Sequence, residues 1–162
     1  MAQARIRKEM QDLSNYDTFQ CRTDYGRRIN EVLFVGPETS PYQGMGLKVI
    51  FIYPRDYPFK PPVIRFDPPI FHPNVSETGR MTVPSLTGDD WSPATTTRMS
   101  LLTILSLLHE PFICNENLAK NDKGKEEMNE IVNNECVNQE ALRLWKQSFE
   151  DFKQIVLVSY DQ

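Results

Sequence analysis

The chain has 162 residues, 40% of them apolar and 25% charged, the profile of a globular protein with enough length for one real core over 1–162. A net charge of −4 without a basic stripe and interleaved aromatics sets nucleic acid aside as a partner. No apolar run approaches the roughly 20 residues that cross a bilayer, which sets a membrane aside as well. The first eight residues carry charges but no hydrophobic stretch behind them, so a secretory signal is not expected. Cys21, Cys114 and Cys136 have no disulfide-framework spacing and form no zinc pattern with His72 and His109. No metal or cofactor is therefore expected, and a reducing cytoplasmic or nuclear compartment is the natural reading.

Along the chain, Ile6, Met10 and Leu13 fall at helical spacing and predict a helix over 2–14, with Arg5, Arg7 and Lys8 on its other side and Asn15 as a stop. Ile29–Val35, ending at Gly36-Pro37, reads as a strand, as does Leu47–Tyr53 after the turn-like Pro41-Tyr42-Gln43-Gly44. Val63–Phe66 is a third, shorter run. Such short connections favour antiparallel neighbours, because parallel pairs need a long crossover. Between Pro54 and Pro93 lie nine of the twelve prolines, which rules out ordinary sheet or helix there. The same stretch holds Tyr57, Phe59, Phe66, Phe71 and Trp91, too many aromatics for a disordered linker. It predicts a long, ordered loop packed on the core, the kind that carries function.

Arg98–His109, dense in leucine and stopped near Pro111, predicts a buried helix. Residues 119–138 are polar, with a short exposed helix conceivable over 125–132. From Gln139 to Val158, Leu142, Trp145, Phe149, Phe152 and Val156 recur at steps of three and four, as in one or two amphipathic helices.

This order of elements and a set of motifs resemble the ubiquitin-conjugating enzymes. The motifs are Asp56-Tyr57-Pro58-Phe59-Lys60-Pro61-Pro62, Ile70-Phe71-His72-Pro73-Asn74-Val75, Gly79-Arg80 and Asp90-Trp91-Ser92-Pro93-Ala94. Gly36-Pro37, Ser40 to Gly44 and Leu101 to Pro111 agree with them. The likeness runs over roughly 4–118 and resumes at Glu140. It implies an α+β fold of the UBC type. An antiparallel four-stranded meander is flanked by an N-terminal helix, a central buried helix and C-terminal helices, with an insertion at about 119–138.

In that family a cysteine three residues after the glycine of Gly79-Arg80 accepts the modifier from an activating enzyme, then passes it to a lysine or a ligase. Here that position is Thr82. A thiol titrates near about 8.5, and its thiolate both attacks and leaves well. A threonine hydroxyl stays protonated and needs an adjacent base. Thr82 thus reads as a small polar residue filling the slot, and no working catalytic residue is expected. Asn74 stands at the asparagine that stabilises the family's oxyanion; with no thioester to serve, its expected work is to hold the neighbouring loop. Glu116 lies near the family's acidic gate and reads more simply as a solvated carboxylate.

By the same resemblance Phe59, Ser92, Pro93 and Ala94 form the patch that meets ligases, although Phe59 capping the core is an equal alternative. Arg5 and Lys8 match the basic face shown to the activating enzyme, or a merely solvated helix face. Arg22 replaces a small residue on a second modifier-binding face. The reading is a catalytically silent relative that binds a ubiquitin ligase, an active conjugating enzyme or a ubiquitin-like modifier. The activating enzyme is a further partner to test. Its rival is an active transferase that uses Cys114, or one whose natural cysteine is replaced at Thr82.

Overall fold

The computed structural model describes residues 2–111 and 137–160. Helix α1, Ala2–Leu13, buries Ile6, Met10 and Leu13 as their spacing predicts. It also buries Glu9, a carboxylate on the apolar stripe that periodicity does not mark. The helix ends at Leu13, two residues before Asn15, where Ser14 still donates to Met10 O at 3.0 Å.

Four strands follow in sequential order: β1 Gln20–Asp24, β2 Ile29–Val35, β3 Gly46–Ile52 and β4 Val63–Phe66, each antiparallel to the next. Two of the strands read from the sequence, Ile29–Val35 and Val63–Phe66, match residue for residue. The inner face is set by alternation: Val32 and Phe34 on β2, Leu47, Val49 and Phe51 on β3, Ile64 and Phe66 on β4 are all buried. β1 shows no such alternation and is exposed at four of its five residues, with Thr23 half-buried. Its pairing with β2, Gln20 opposite Leu33 through Asp24 opposite Ile29, makes it a strand.

The proline-rich stretch is ordered and packed, with Tyr57, Phe66, Val75, Met81 and Val83 in the core, but contrary to expectation it holds regular structure, because β4 fits between Pro62 and Pro68. Within it a one-turn helix, α2 Pro84–Thr87, buries Leu86. The central helix α3, Thr97–His109, starts one residue earlier than the leucine pattern shows. The Thr96 side chain caps it by accepting from Met99 N at 3.2 Å. Leu101, Ile104 and Leu108 are fully buried, and the helix packs beside α1.

The C-terminal amphipathic stretch is two helices, α4 Gln139–Gln147 and α5 Phe149–Tyr160. Ser148 breaks the run in an extended conformation, and its hydroxyl accepts from Asp151 N at 3.3 Å to start the second. Phe152 packs between Trp145 and Phe71, with ring centroids 5.1 and 5.5 Å away. At the far end the Tyr160 hydroxyl accepts from Gly46 N at 2.9 Å, tying α5 to the start of β3. Cys114, Glu116, the polar insertion apart from its last two residues and the short helix expected over 125–132 lie outside the described residues.

Candidate functional site

Thr82 sits at the end of a short ribbon that continues the sheet beyond β4. Phe66 N donates to Gly79 O at 2.8 Å and Met81 N to Ile64 O at 2.9 Å, so 79–81 lies along β4. On its other side Ser76 N donates to Arg80 O at 2.9 Å, and Thr82 N donates to Asn74 O at 2.9 Å. Gly79 makes the turn into this ribbon. Its φ is +81°, and a Cβ there would stand 2.2 Å from Phe66 O, so neither the conformation nor the space admits a side chain.

The segment 72–74 is held from beneath by His72, which is fully buried. Its Nδ1 accepts the Asn74 amide at 3.0 Å and its Nε2 lies 2.9 Å from Leu107 O. Since Nδ1 is the acceptor, Nε2 carries the proton and donates to α3. Burial holds the ring neutral, pulling its pKa down from 6.5 to about 4 against the opposing pull of the Leu107 carbonyl. Both nitrogens are therefore spoken for, and the histidine of the motif has no lone pair left for a neighbouring hydroxyl. Asn74 is itself fully buried. Thr82 is half-buried and is followed by Val83 and Pro84, which open α2. The structure thus brings Asn74 and Thr82 together through the backbone.

The comparisons with known proteins bear on this ribbon and the scaffold around it. The family model for "Ubiquitin-conjugating enzyme" matches residues 5–132. Ubiquitin-conjugating enzyme E2 ubc-18 of Caenorhabditis elegans is 36% identical over 115 residues, covering 68% of this chain and 74% of that protein. The chain belongs to the ubiquitin-conjugating enzyme family.

In this member two of the segments singled out by sequence, the loop of Phe59 and the turn of Ser92 to Ala94, are joined to each other. Phe59 is 71% exposed, so it does not cap the core. The core contact is made by Tyr57, two residues earlier, which is 2% exposed and packs its ring 4.8 Å from Tyr53. Ser92, Pro93 and Ala94 are all exposed, and Thr95 N donating to Ser92 O at 2.9 Å closes them into a turn. The Trp91 indole donates to Pro58 O at 2.7 Å and so fastens this turn to the loop that carries Phe59.

Arg5 and Lys8 part company. Lys8 is exposed, whereas Arg5 is half-buried, ion-paired with Glu9 and 3.5 Å through Nη2 from Pro93 O. Arg5 is therefore no simple solvated cation. Arg22 lies exposed on β1, opposite Glu31 in the register.

Sequence reasoning missed Glu9. A carboxylate among Ile6, Met10 and Leu13 was the signal that could have found it, since a charged side chain on a buried stripe requires partners. Among the described residues no group of His, Cys, Asp and Glu is arranged to hold a metal, and no helix is long and apolar enough to cross a membrane.

Proposed function

We propose that this chain is a catalytically silent member of its family. It binds a ligase, an active conjugating enzyme or a ubiquitin-like modifier in the cytoplasm or nucleus, without carrying the modifier itself. What supports the reading is a threonine where, by the family resemblance, the acceptor cysteine would stand, with both nitrogens of the motif's histidine already engaged elsewhere. An alcohol becomes a nucleophile only when a base takes its proton, and an ester formed on it would expel a poor alkoxide. The γ-methyl of threonine would also hinder approach of the activated acyl group. Asn74, in this reading, keeps the loop in place and serves no oxyanion.

The exposed Phe59 beside the Ser92-Pro93-Ala94 turn supports a docking role. An aromatic side chain on a loop stiffened by prolines loses little entropy on association, which suits a small, transient interface. The same surface would serve a ligase that engages this chain instead of an active enzyme.

The test is charging with activating enzyme, ATP and modifier, with and without reductant. The natural chain should gain no adduct, and Thr82→Cys should gain a reductant-sensitive one, since the ribbon that presents residue 82 is intact. A reductant-sensitive adduct on the natural chain that disappears in Cys114→Ser and discharges onto lysine would overturn the proposal. For the docking role, Phe59→Ala should abolish binding to any ligase domain that the natural chain engages.

A further inference from the structure

The Glu9 side chain is the common acceptor for three separate parts of the docking surface. It is 6% exposed, in the middle of α1. Its Oε2 accepts from the Tyr57 hydroxyl at 2.8 Å, from Thr97 N at 2.8 Å and from Thr97 Oγ1 at 2.7 Å. Its Oε1 accepts from the Tyr57 hydroxyl at 3.0 Å and from Arg5 Nε. Tyr57 stands two residues before Phe59, and Thr97 three residues after Ala94. Arg5, held by Glu9, donates in turn to Pro93 O at 3.5 Å.

We infer that Glu9 is a positioning residue for the docking surface: its buried carboxylate sets the spacing between Phe59 and the Pro93-Ala94 turn while touching no partner itself. The inference rests on the docking role proposed above and names what holds that surface in shape. A carboxylate is needed because every group aimed at it is a donor. Tyr57 O–H, Thr97 N–H, Thr97 O–H and the Arg5 guanidinium all point at two oxygens, and an ionised carboxylate accepts at both without offering a proton back. An amide at this position turns one acceptor into a donor facing donors. Removal of the side chain leaves a half-buried cation without its ion pair and three buried donors unmatched. The far side of the node is tied down too: the Tyr53 hydroxyl lies 2.8 Å from Thr97 Oγ1, and since that oxygen donates to Glu9 it accepts from Tyr53. A shift of the Phe59 loop against the Pro93 turn therefore strains the bonds to this one group, together with the Arg5–Pro93 and Trp91–Pro58 bonds.

The experiment uses the full chain in four forms: natural, Glu9→Gln, Arg5→Lys and Phe59→Ala. Amide NMR spectra of the free proteins come first. Glu9→Gln should shift the resonances of Phe59, Lys60, Ala94 and Thr95, whereas Arg5→Lys, which keeps the charge beside Glu9, should move only the Pro93-Ala94 side. Binding to a panel of purified RING domains is then read by titration. Glu9→Gln should weaken whichever domain binds by about tenfold, the scale of one misplaced charge-assisted bond, at a temperature where the variant is fully folded. A merely structural Glu9 would lower thermal stability and leave both the Phe59 and Ala94 resonances and the folded-state affinity unchanged; that result overturns the inference. If no domain binds the natural chain and Phe59→Ala changes nothing, the docking role fails instead, and the spectra alone decide what Glu9 positions.

Discussion

Acidification should expose how the His72 bridge holds the segment around Asn74 in place. His72 is buried neutral, its Nδ1 filled by the Asn74 amide and its Nε2 proton given to Leu107 O. Its folded pKa is depressed from 6.5 to about 4, so the folded state resists a proton that the unfolded chain accepts. A depressed folded pKa contributes stability that is present above the unfolded value and is lost as pH falls toward the folded one. Between those limits unfolding takes up about one proton, and stability falls by about 1.4 kcal/mol per pH unit. From about pH 7 to about pH 5 the loss from this residue is about 2 kcal/mol, a large share of a typical domain's 5–15 kcal/mol.

Urea unfolding at the two pH values measures it, with His72→Gln as the reference. The variant should be less stable than the natural chain at neutral pH, but its stability should fall by about 2 kcal/mol less on acidification, because His109 and every carboxylate are common to both. The imidazole carbon resonances supply an independent check: His72 should show no titration while the protein stays folded above about pH 5. Equal losses in the two proteins, or a His72 resonance titrating near its ordinary value in the folded state, would refute the argument.

Other outcomes follow from single contacts. Gly79→Ala should cost about 2 kcal/mol or more in denaturant unfolding, since it combines a positive φ with a Cβ driven onto Phe66 O; full stability would mean the ribbon beside β4 is wrongly placed. Phe152→Ala should cost about 3–5 kcal/mol, because the ring is fully buried between Trp145 and Phe71. Asn138→Ala removes the side chain that accepts from Ala141 N at 2.9 Å and should lower stability by about 1 kcal/mol, with fraying at the start of α4 seen in amide exchange. Phe59→Ser, by contrast, should leave thermal stability unchanged, as the ring is mostly in solvent; a marked drop would mean it packs on the core after all.

How much of this was legible in the sequence depends on whether the deciding contact is local. Strands β2 and β4 could be read residue by residue, and Ile6, Met10 and Leu13 on the buried face of α1 with them, because their pattern is set by which side of one element meets the core. The order of motifs from Asp56 to Ala94 pointed to the family, and the resemblance drew attention to the alcohol at residue 82. β1 was not legible, since an edge strand with both faces in solvent carries no alternation and exists through its partner. Nor was the split between α4 and α5, where the apolar spacing runs on and Ser148 alone breaks the helix.

Tertiary structure decided the choices that sequence had to leave open. Phe59 and Tyr57 are both aromatic and two residues apart, and only the packed loop shows which enters the core and which faces outward. Arg5 and Lys8 look alike on a helical wheel, yet one is bound to Glu9 and the other is exposed. The engagement of His72 Nε2 depends on Leu107, 35 residues away. Periodicity records which face of an element is apolar; the partner of a buried polar atom is a matter of three-dimensional placement, and no local pattern encodes it.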